Sequence, residues 1–183
     1  GELGRMKWGH ITLPSRATPS TASVVLHPHE EGHPSKVSEF DETLVIDLPW
    51  LVRAVQRLRP WGPGADLAPV TGVDMALLAQ MFHQAQALLR LPNDLGAQQL
   101  YVLRHSGASA DWIHMRRARA SIKDRGRWAS DASLGRYQKG GRVAEQFSRC
   151  SPRLQEYAML CVTQLPRVLL GLQRPLKPPL PSP

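Results

Sequence analysis

Two short apolar runs near the start of the chain have the composition of β-strands. Residues 23–27 (SVVLH) and 42–48 (ETLVIDL) are rich in β-branched side chains, which favour extended backbone. The polar segment between them is broken by two prolines and a glycine, which predicts a long hairpin-like loop. Residues 2–11 have apolar positions near helical spacing up to Gly9, and we interpret them as the end of a helix.

Apolar stripes predict two helices in the middle of the chain. From Leu48 to Leu58 apolar residues recur three and four positions apart, Asp47 is placed to cap this helix, and Pro49 falls in its first turn. Residues 73–91 show the clearest helical pattern. We assign the apolar face of that helix to the core.

Beyond residue 99 we predict shorter helices, at residues 106–120, 122–128 and 133–138. Gly140 and Gly141 are expected to end the last of these. A further helical pattern covers residues 151–172 with an interruption at Pro166, and the proline-rich residues 173–183 are expected to be extended.

Positive charge is concentrated in one segment. The chain has a net charge of +8, and residues 100–142 hold ten Lys and Arg against three Asp and Glu. Such a concentration favours a polyanion as partner, because each cation that displaces a condensed counterion from nucleic acid adds salt-sensitive affinity. A basic helix face that is only exposed to solvent would show the same concentration of charge, so charge alone does not distinguish the two.

Composition argues against several other classes of protein. No run approaches the roughly 20 apolar residues of a membrane-spanning helix, and the first residues lack the apolar core of a signal peptide. We therefore expect no membrane partner and an intracellular location. Cys150 and Cys161 are too few for a disulfide scaffold and lack zinc-site spacing, so we expect ordinary buried thiols.

Three residues in the basic half carry the candidate chemistry. The segment YVLRHSGAS contains Arg104, GRWAS contains Trp128, and GRY contains Tyr137, nine residues after the tryptophan. This arrangement resembles the C-terminal half of the tyrosine recombinase, or phage integrase, catalytic domain. In that family the arginine of a His-x-x-Arg motif is followed by a His or Trp and, nine residues later, by the nucleophilic tyrosine. Tyr101 stands at the histidine position of the motif.

The resemblance extends to the start of the chain. Residues 2–11 (ELGRMKWGHI) are similar to the stretch that follows the family's first catalytic arginine, with Glu2 as its glutamate. That arginine then falls before Gly1, and we expect a truncated chain that binds DNA weakly and cleaves it slowly or not at all. The hairpin that follows carries the family's catalytic lysine, for which Lys36 is the candidate, in a loop longer than usual.

The resemblance implies a fold and partners. The fold is mainly α with a small antiparallel β-sheet near the N-terminus. Residues 1–142 would form the catalytic domain, 143–172 a C-terminal helical segment and 173–183 a proline-rich tail. The partner would be double-stranded DNA, bound by a homo-oligomer and located with the DNA, in the nucleus if the source is eukaryotic. The cations that we expect to bind DNA are Lys123, Arg125, Arg127 and Arg136.

The resemblance also implies a role for each site residue. Tyr137 would attack a phosphodiester and form a covalent 3′-phosphotyrosine, while the guanidinium of Arg104 binds the non-bridging oxygens. Lys36 would protonate the leaving 5′ oxygen, and Trp128 would donate its indole N–H to phosphate. Tyr101 can hydrogen-bond phosphate but is a poor acid or base near neutral pH. The reaction needs no metal and no small-molecule cofactor.

Three alternatives remain open at this point. A decayed recombinase would be a non-catalytic, basic helical DNA-binding module. LRHSG (103–107) resembles the Arg-His-Gly motif of histidine phosphatases, although that motif normally follows a strand near the chain start. His27, His29 and His33 form a histidine-rich segment that could bind zinc, yet no fourth ligand is near in the sequence.

Overall fold

A computed structural model of the chain describes residues 2–35, 39–91, 100–128, 130–135 and 140–179. The chain divides into two compact units, residues 1–78 with 163–175 and residues 79–162 with 176–183. Within the described residues the fold is mainly helical, with a three-stranded antiparallel sheet near the N-terminus. The predicted combination of helices and a small antiparallel sheet is confirmed. Among these residues we find no helix that is both long and apolar enough to cross a membrane.

The sheet of the first unit is a meander in the order β1-β2-β3, and its strands are Ile11–Thr12, Ala22–Leu26 and Glu42–Ile46. Ile11 pairs with Val24 across β1 and β2, and Leu26 pairs with Glu42 across β2 and β3. The two predicted strands are confirmed, with small shifts at their ends. The two-residue β1 lies in a stretch that we interpreted as the end of a helix, because a strand so short leaves no alternation in the sequence.

The core of the first unit lies on one face of this sheet. Ala22, Val24 and Leu26 alternate with more exposed neighbours along β2, as expected for a strand with one buried face. Val24 and Leu26 pack with Ile11 and with Trp8, which is only 6% exposed. Trp8 begins a short 3-10 helix, Trp8–His10, that follows the four-residue helix α1, Glu2–Arg5.

The two middle helices are α2, Pro49–Leu58, and α3, Met75–Leu88. α2 begins at Pro49, one residue later than capping by Asp47 predicts, because the capping position is Leu48, whose side chain makes no capping hydrogen bond. Proline at the first helical position already removes one of the N–H groups that a cap would satisfy. The assignment of the apolar face of α3 to the core is wrong, because α3 has no buried residue, and Met81 is 52% exposed.

The basic half forms helices that differ from the prediction mainly at their ends. They are α4, Tyr101–Ile113; α5, Arg119–Gly126; α6, Asp131–Gly135; α7, Gly140–Ser148; and α8, Pro152–Leu169. α4 ends earlier than predicted because Met115 takes a left-handed conformation, with φ of 49°. The sequence carries no glycine there to signal that stop.

A glycine pair and a proline that we expect to interrupt helices lie within helices. Gly140 and Gly141 are the first two residues of α7, since the first-turn N–H groups need no intrahelical partner and glycine is tolerated there. α8 continues through Pro166 to Leu169. The carbonyl of Pro166 accepts a bond from the N–H of Leu170 at 3.0 Å, so the helical bonding resumes after the proline.

Candidate functional site

The structure describes part of the predicted site. The backbones of Tyr101 and Arg104 lie in α4, the first near its start and the second one turn further on. Trp128 lies two residues after the end of α5 at Gly126, and its side chain is half-buried. Three predicted residues lie outside the described residues: Lys36, Arg136 and Tyr137.

A small apolar core connects the helices that carry or adjoin these residues. Ala108 of α4, Ile122 of α5 and Leu134 of α6 form a buried cluster, in which Leu134 is only 1% exposed. The indole rings of Trp112 and Trp128 pack against this cluster. The cluster therefore fixes α4, α5 and α6 to one another within the second unit.

The motif positions are close to members of this core along the sequence. Arg104 precedes Ala108 by four residues, and Tyr137 follows Leu134 by three. Trp128 itself packs against the core.

The C-terminus of α5 determines where Trp128 lies. The N–H of Trp128 donates to the carbonyl of Lys123 at 3.1 Å, and the N–H of Arg127 donates to the carbonyl of Asp124 at 3.0 Å. Arg127 is left-handed, with φ of 53°. These bonds and this conformation define a Schellman motif, in which the residue after the left-handed position often makes an apolar contact back to the last turn. Trp128 occupies that position.

Gly126 is a residue of this site that the sequence analysis missed. A Cβ built on Gly126 would overlap three ring carbons of Trp128, Cε3, Cζ3 and Cη2. The indole ring therefore lies against the Gly126 backbone, where only glycine leaves room for it. A glycine in the last turn of a basic helix gives no sign in the sequence that a ring two residues later covers it.

One of the predicted DNA-binding cations is already paired within the protein. Lys123 Nζ lies 3.0 Å from a carboxylate oxygen of Asp131, and Arg119 lies 3.7 Å from the other oxygen. The hydrogen bond from Lys123 and the charges of Lys123 and Arg119 lower the pKa of Asp131 below 3.8. Through these contacts Asp131 joins α5 to the first turn of α6. Arg125 is exposed and Arg127 is half-buried.

The connection between β2 and β3 contains the position of Lys36, as the resemblance implies for the catalytic lysine. The base of the connection is closed by the N–H of Asp41, which donates to the carbonyl of His27 at 3.0 Å. Further along, the N–H of Ser35 donates to the carbonyl of Glu39 at 2.8 Å. The N–H of Glu39 donates back to the hydroxyl of Ser35 at 3.2 Å. These bonds join the residues on either side of 36–38.

Tyr157 is a tyrosine of the second unit with a structural role. Its hydroxyl donates to the carbonyl of Leu176 at 3.4 Å. Burial, together with a hydrogen bond to Cys161, raises the pKa of Tyr157 above 10.0. Cys161 is partly exposed, and Cys150 is a buried free thiol as predicted.

The alternative sites find little support in the described residues. LRHSG lies inside the helix α4, whereas the phosphatase motif normally follows a strand. His27 Nδ1 is within hydrogen-bond distance, 3.0 Å, of the carbonyl of His33, and the ring of His29 packs edge-on against Phe40 at 4.9 Å. Among the described residues, no three His, Cys, Asp or Glu side chains are grouped so that they could hold a metal ion.

Comparison of the sequence and structure with protein families, curated proteins and solved structures gives no match.

Proposed function

We propose that this chain is a tyrosine recombinase-like domain that cleaves and rejoins double-stranded DNA through a covalent 3′-phosphotyrosine on Tyr137. The observation that carries the proposal is the packing of Trp128 into the core shared by α4, α5 and α6. In the sequence, Arg104 lies four residues before Ala108 of that core and Tyr137 three residues after Leu134. The nine-residue spacing of Trp128 and Tyr137 and the charge of residues 100–142 support the same function.

The proposed reaction is a transesterification. The hydroxyl oxygen of Tyr137 attacks the phosphorus, a new P–O bond forms, and the bond from phosphorus to the 5′ oxygen breaks. The phenolic proton passes to water, aided by the positive field of the neighbouring arginines. Because the phosphotyrosine keeps the energy of the broken ester, a 5′ hydroxyl can reverse the step and rejoin the DNA.

The remaining site residues act on charge and protons. The guanidinium of Arg104 would donate two parallel hydrogen bonds to the non-bridging oxygens, whose negative charge grows in the transition state. The ammonium of Lys36 would give its proton to the leaving 5′ oxygen. Support for this role comes from the place of Lys36 in the connection that joins the paired strands β2 and β3.

A trapping experiment tests the proposal without knowledge of the target sequence. The probe is a pool of duplexes with randomised flanks and a single 5′-bridging phosphorothioate at a fixed position. Cleavage at that position releases a thiolate, which reattacks phosphorus poorly, so the covalent complex accumulates. We expect a protein–DNA adduct that survives denaturing electrophoresis.

Matched variants identify the nucleophile. Tyr137→Phe should abolish the adduct, whereas Tyr157→Phe, which removes a hydroxyl bonded to Leu176, should leave it unchanged. Duplex binding should persist in both variants. DNA binding without an adduct from the wild-type protein would instead identify a non-catalytic DNA-binding module.

A further inference from the structure

A large cavity in the second unit is lined by residues of four helices. Its volume is about 750 Å³, within the range of roughly 300–1,000 Å³ that is typical of small-molecule sites. Side chains from α3, α4, α7 and α8 line it, and all the lining residues fall between Phe82 and Cys161. The cavity therefore belongs to a single compact unit. Spaces between the helices of a bundle are a common place for ligand sites.

Part of the apolar face of α3 borders this cavity. Phe82, Ala85 and Leu89 follow one another in steps of three and four residues, and all three line the cavity. A helix presents residues with this spacing on one side. The N–H of Leu89 donates to the carbonyl of Ala85 at 3.0 Å, so the helical bonding continues past Leu88. The apolar pattern that we assigned to the core from the sequence thus faces a cavity.

α8 presents a similar stripe to the cavity. Leu154, Tyr157, Ala158 and Cys161 line it at the same helical spacing, and Leu154 is buried. Burial, together with a hydrogen bond to Cys161, raises the pKa of Tyr157 above 10.0. The phenol is therefore uncharged at neutral pH. α8 thus contributes apolar surface and a neutral hydroxyl group to the lining.

The helix α4 has two separate contact faces. Ala108 and Trp112, one turn apart, pack in the core that α4 shares with α5 and α6. Ala110 and Ile113 line the cavity, and the rotation of about 100° per residue places them on another side of the helix. A molecule in the cavity would therefore contact α4 without displacing that core. From α7, the exposed side chain of Phe147 also lines the cavity.

The charge of the lining limits what the cavity can bind. Among the described residues that line it there is no Asp, Glu, Lys or Arg, and His114 is the one histidine. The other polar side chains are neutral hydrogen-bonding groups, chiefly those of Gln86, Ser106, Ser109 and Gln146. A buried ionic group is strongly unfavourable without a partner of opposite charge. The lining therefore favours an uncharged occupant.

We propose that this cavity is a binding site for a small, uncharged and mostly apolar molecule. The apolar side chains of the four helices would surround the body of the molecule, and the glutamine and serine side chains would hydrogen-bond a neutral polar group on it. The inference is independent of the proposed function, because none of the described lining residues is one of the predicted catalytic residues.

Two fluorescent probes that differ only in charge test the proposal on the full chain. N-phenyl-naphthylamine is uncharged, and anilinonaphthalene sulfonate has the same rings with a permanent negative charge. We expect one molecule of the neutral probe to bind per chain, and the sulfonate to bind at least about tenfold more weakly, because it lacks a cationic partner in the described lining. Equal affinity for the two probes would contradict a site for uncharged molecules.

Two alanines of α3 provide matched variants that locate the bound probe. Ala85 lines the cavity, whereas Ala87 is exposed in the same helix and is not a lining residue. Ala85→Trp should fill part of the cavity and weaken binding of the neutral probe about tenfold or more, while Ala87→Trp should leave it unchanged. Ala158→Trp, which fills the cavity from α8, should reproduce the effect of Ala85→Trp.

The thiol of Cys161 reports on the same cavity in the wild-type protein. Cys161 is partly exposed and lines the cavity, so bound N-phenyl-naphthylamine should slow its alkylation by N-ethylmaleimide. The bound probe should also raise the unfolding temperature, because it binds the folded chain only. These two measurements decide the location of the probe even if a tryptophan variant does not fold.

Three results would overturn the proposal. The first is a wild-type protein that does not bind the neutral probe. The second is bound probe that leaves Cys161 unprotected, or that is lost equally from Ala85→Trp and Ala87→Trp, because the probe would then lie elsewhere. The third is a wild-type protein that sediments as a dimer and becomes a monomer in Ala85→Trp, which would identify a second copy of the chain as the occupant. All three leave the proposed DNA cleavage unaffected.

Discussion

The indole ring of Trp128 lies against the backbone of Gly126, two residues earlier, so closely that a Cβ at Gly126 would overlap the ring. This contact, together with the left-handed Arg127 between the two residues, folds the end of α5 back so that Trp128 packs on the core of Ala108, Ile122 and Leu134. This turn determines where Trp128 lies in the candidate site.

Gly126→Ala should displace the ring of Trp128 and destabilise the protein. Overpacking of this kind typically costs about 1–3 kcal/mol in the free energy of unfolding. Gly107→Ala is the matched control, because Gly107 lies within α4 and a Cβ there meets no atom within 4 Å. Alanine at that position should be neutral or stabilising by up to about 1 kcal/mol. Urea unfolding measures both, and equal stability of the two variants would contradict the contact.

Arg127→Gly should raise stability and lower DNA affinity at the same time. The left-handed backbone at Arg127, with φ of 53°, costs a residue with a side chain about 1 kcal/mol that glycine avoids. Loss of the guanidinium removes a proposed phosphate contact. Arg127→Val removes the same charge but should destabilise, because a β-branched residue fits this conformation worst. Thermal unfolding and duplex binding together distinguish the two effects.

Asp131→Asn should strengthen DNA binding. The substitution releases Lys123 and Arg119 from a carboxylate that lies 3.0 Å and 3.7 Å from them. Each cation made available to phosphate should steepen the dependence of log affinity on log salt by up to about 0.9. Asp124→Asn removes the same charge from an exposed position in α5. If both variants raise the affinity and the salt slope equally, overall charge and not this ion pair is responsible.

The contribution of Glu31 to stability should disappear in acid. The hydrogen bond from Lys7 holds the pKa of Glu31 in the folded protein below its ordinary value of 4.5, so the unfolded chain takes up the proton first as the pH falls. The stabilisation is fully present above about pH 4.5 and is lost as the pH falls through the lowered pKa. The stability difference between wild type and Glu31→Gln should therefore be constant near neutral pH and vanish in acid. A difference in the free energy of unfolding that persists in strong acid would contradict the ion pair of Glu31 with Lys7.

The sequence predicted elements whose signals are local. The two longer strands and the place of Pro49 in the first turn of α2 are confirmed, because β-branched runs and an N-terminal proline act through neighbouring residues. The end of α4 could not be predicted, since Met115 adopts a left-handed conformation that its side chain does not favour. Helical spacing identifies an apolar face of α3, but it does not show which elements pack against that face. The exposure of Met81 therefore could not be predicted.

The residues of the candidate site were also predictable only in part. The spacing of Arg104, Trp128 and Tyr137 was visible because motif residues lie at fixed separations along the chain. Two contacts that the structure shows were not visible in the sequence. Glu31 meets Lys7 from 24 positions away, and Gly126 is distinguished only by the ring that covers it. Contacts between distant residues leave no pattern in a single sequence.

Peptide mapping of the trapped DNA adduct tests the central proposal most directly. After nuclease digestion and trypsin treatment, mass spectrometry should find the residual nucleotide on the short peptide that begins at Tyr137, directly after Arg136. Attachment to Tyr101, Tyr157 or a serine, or the absence of any nucleotide-bearing peptide, would contradict the assignment of Tyr137 as the nucleophile.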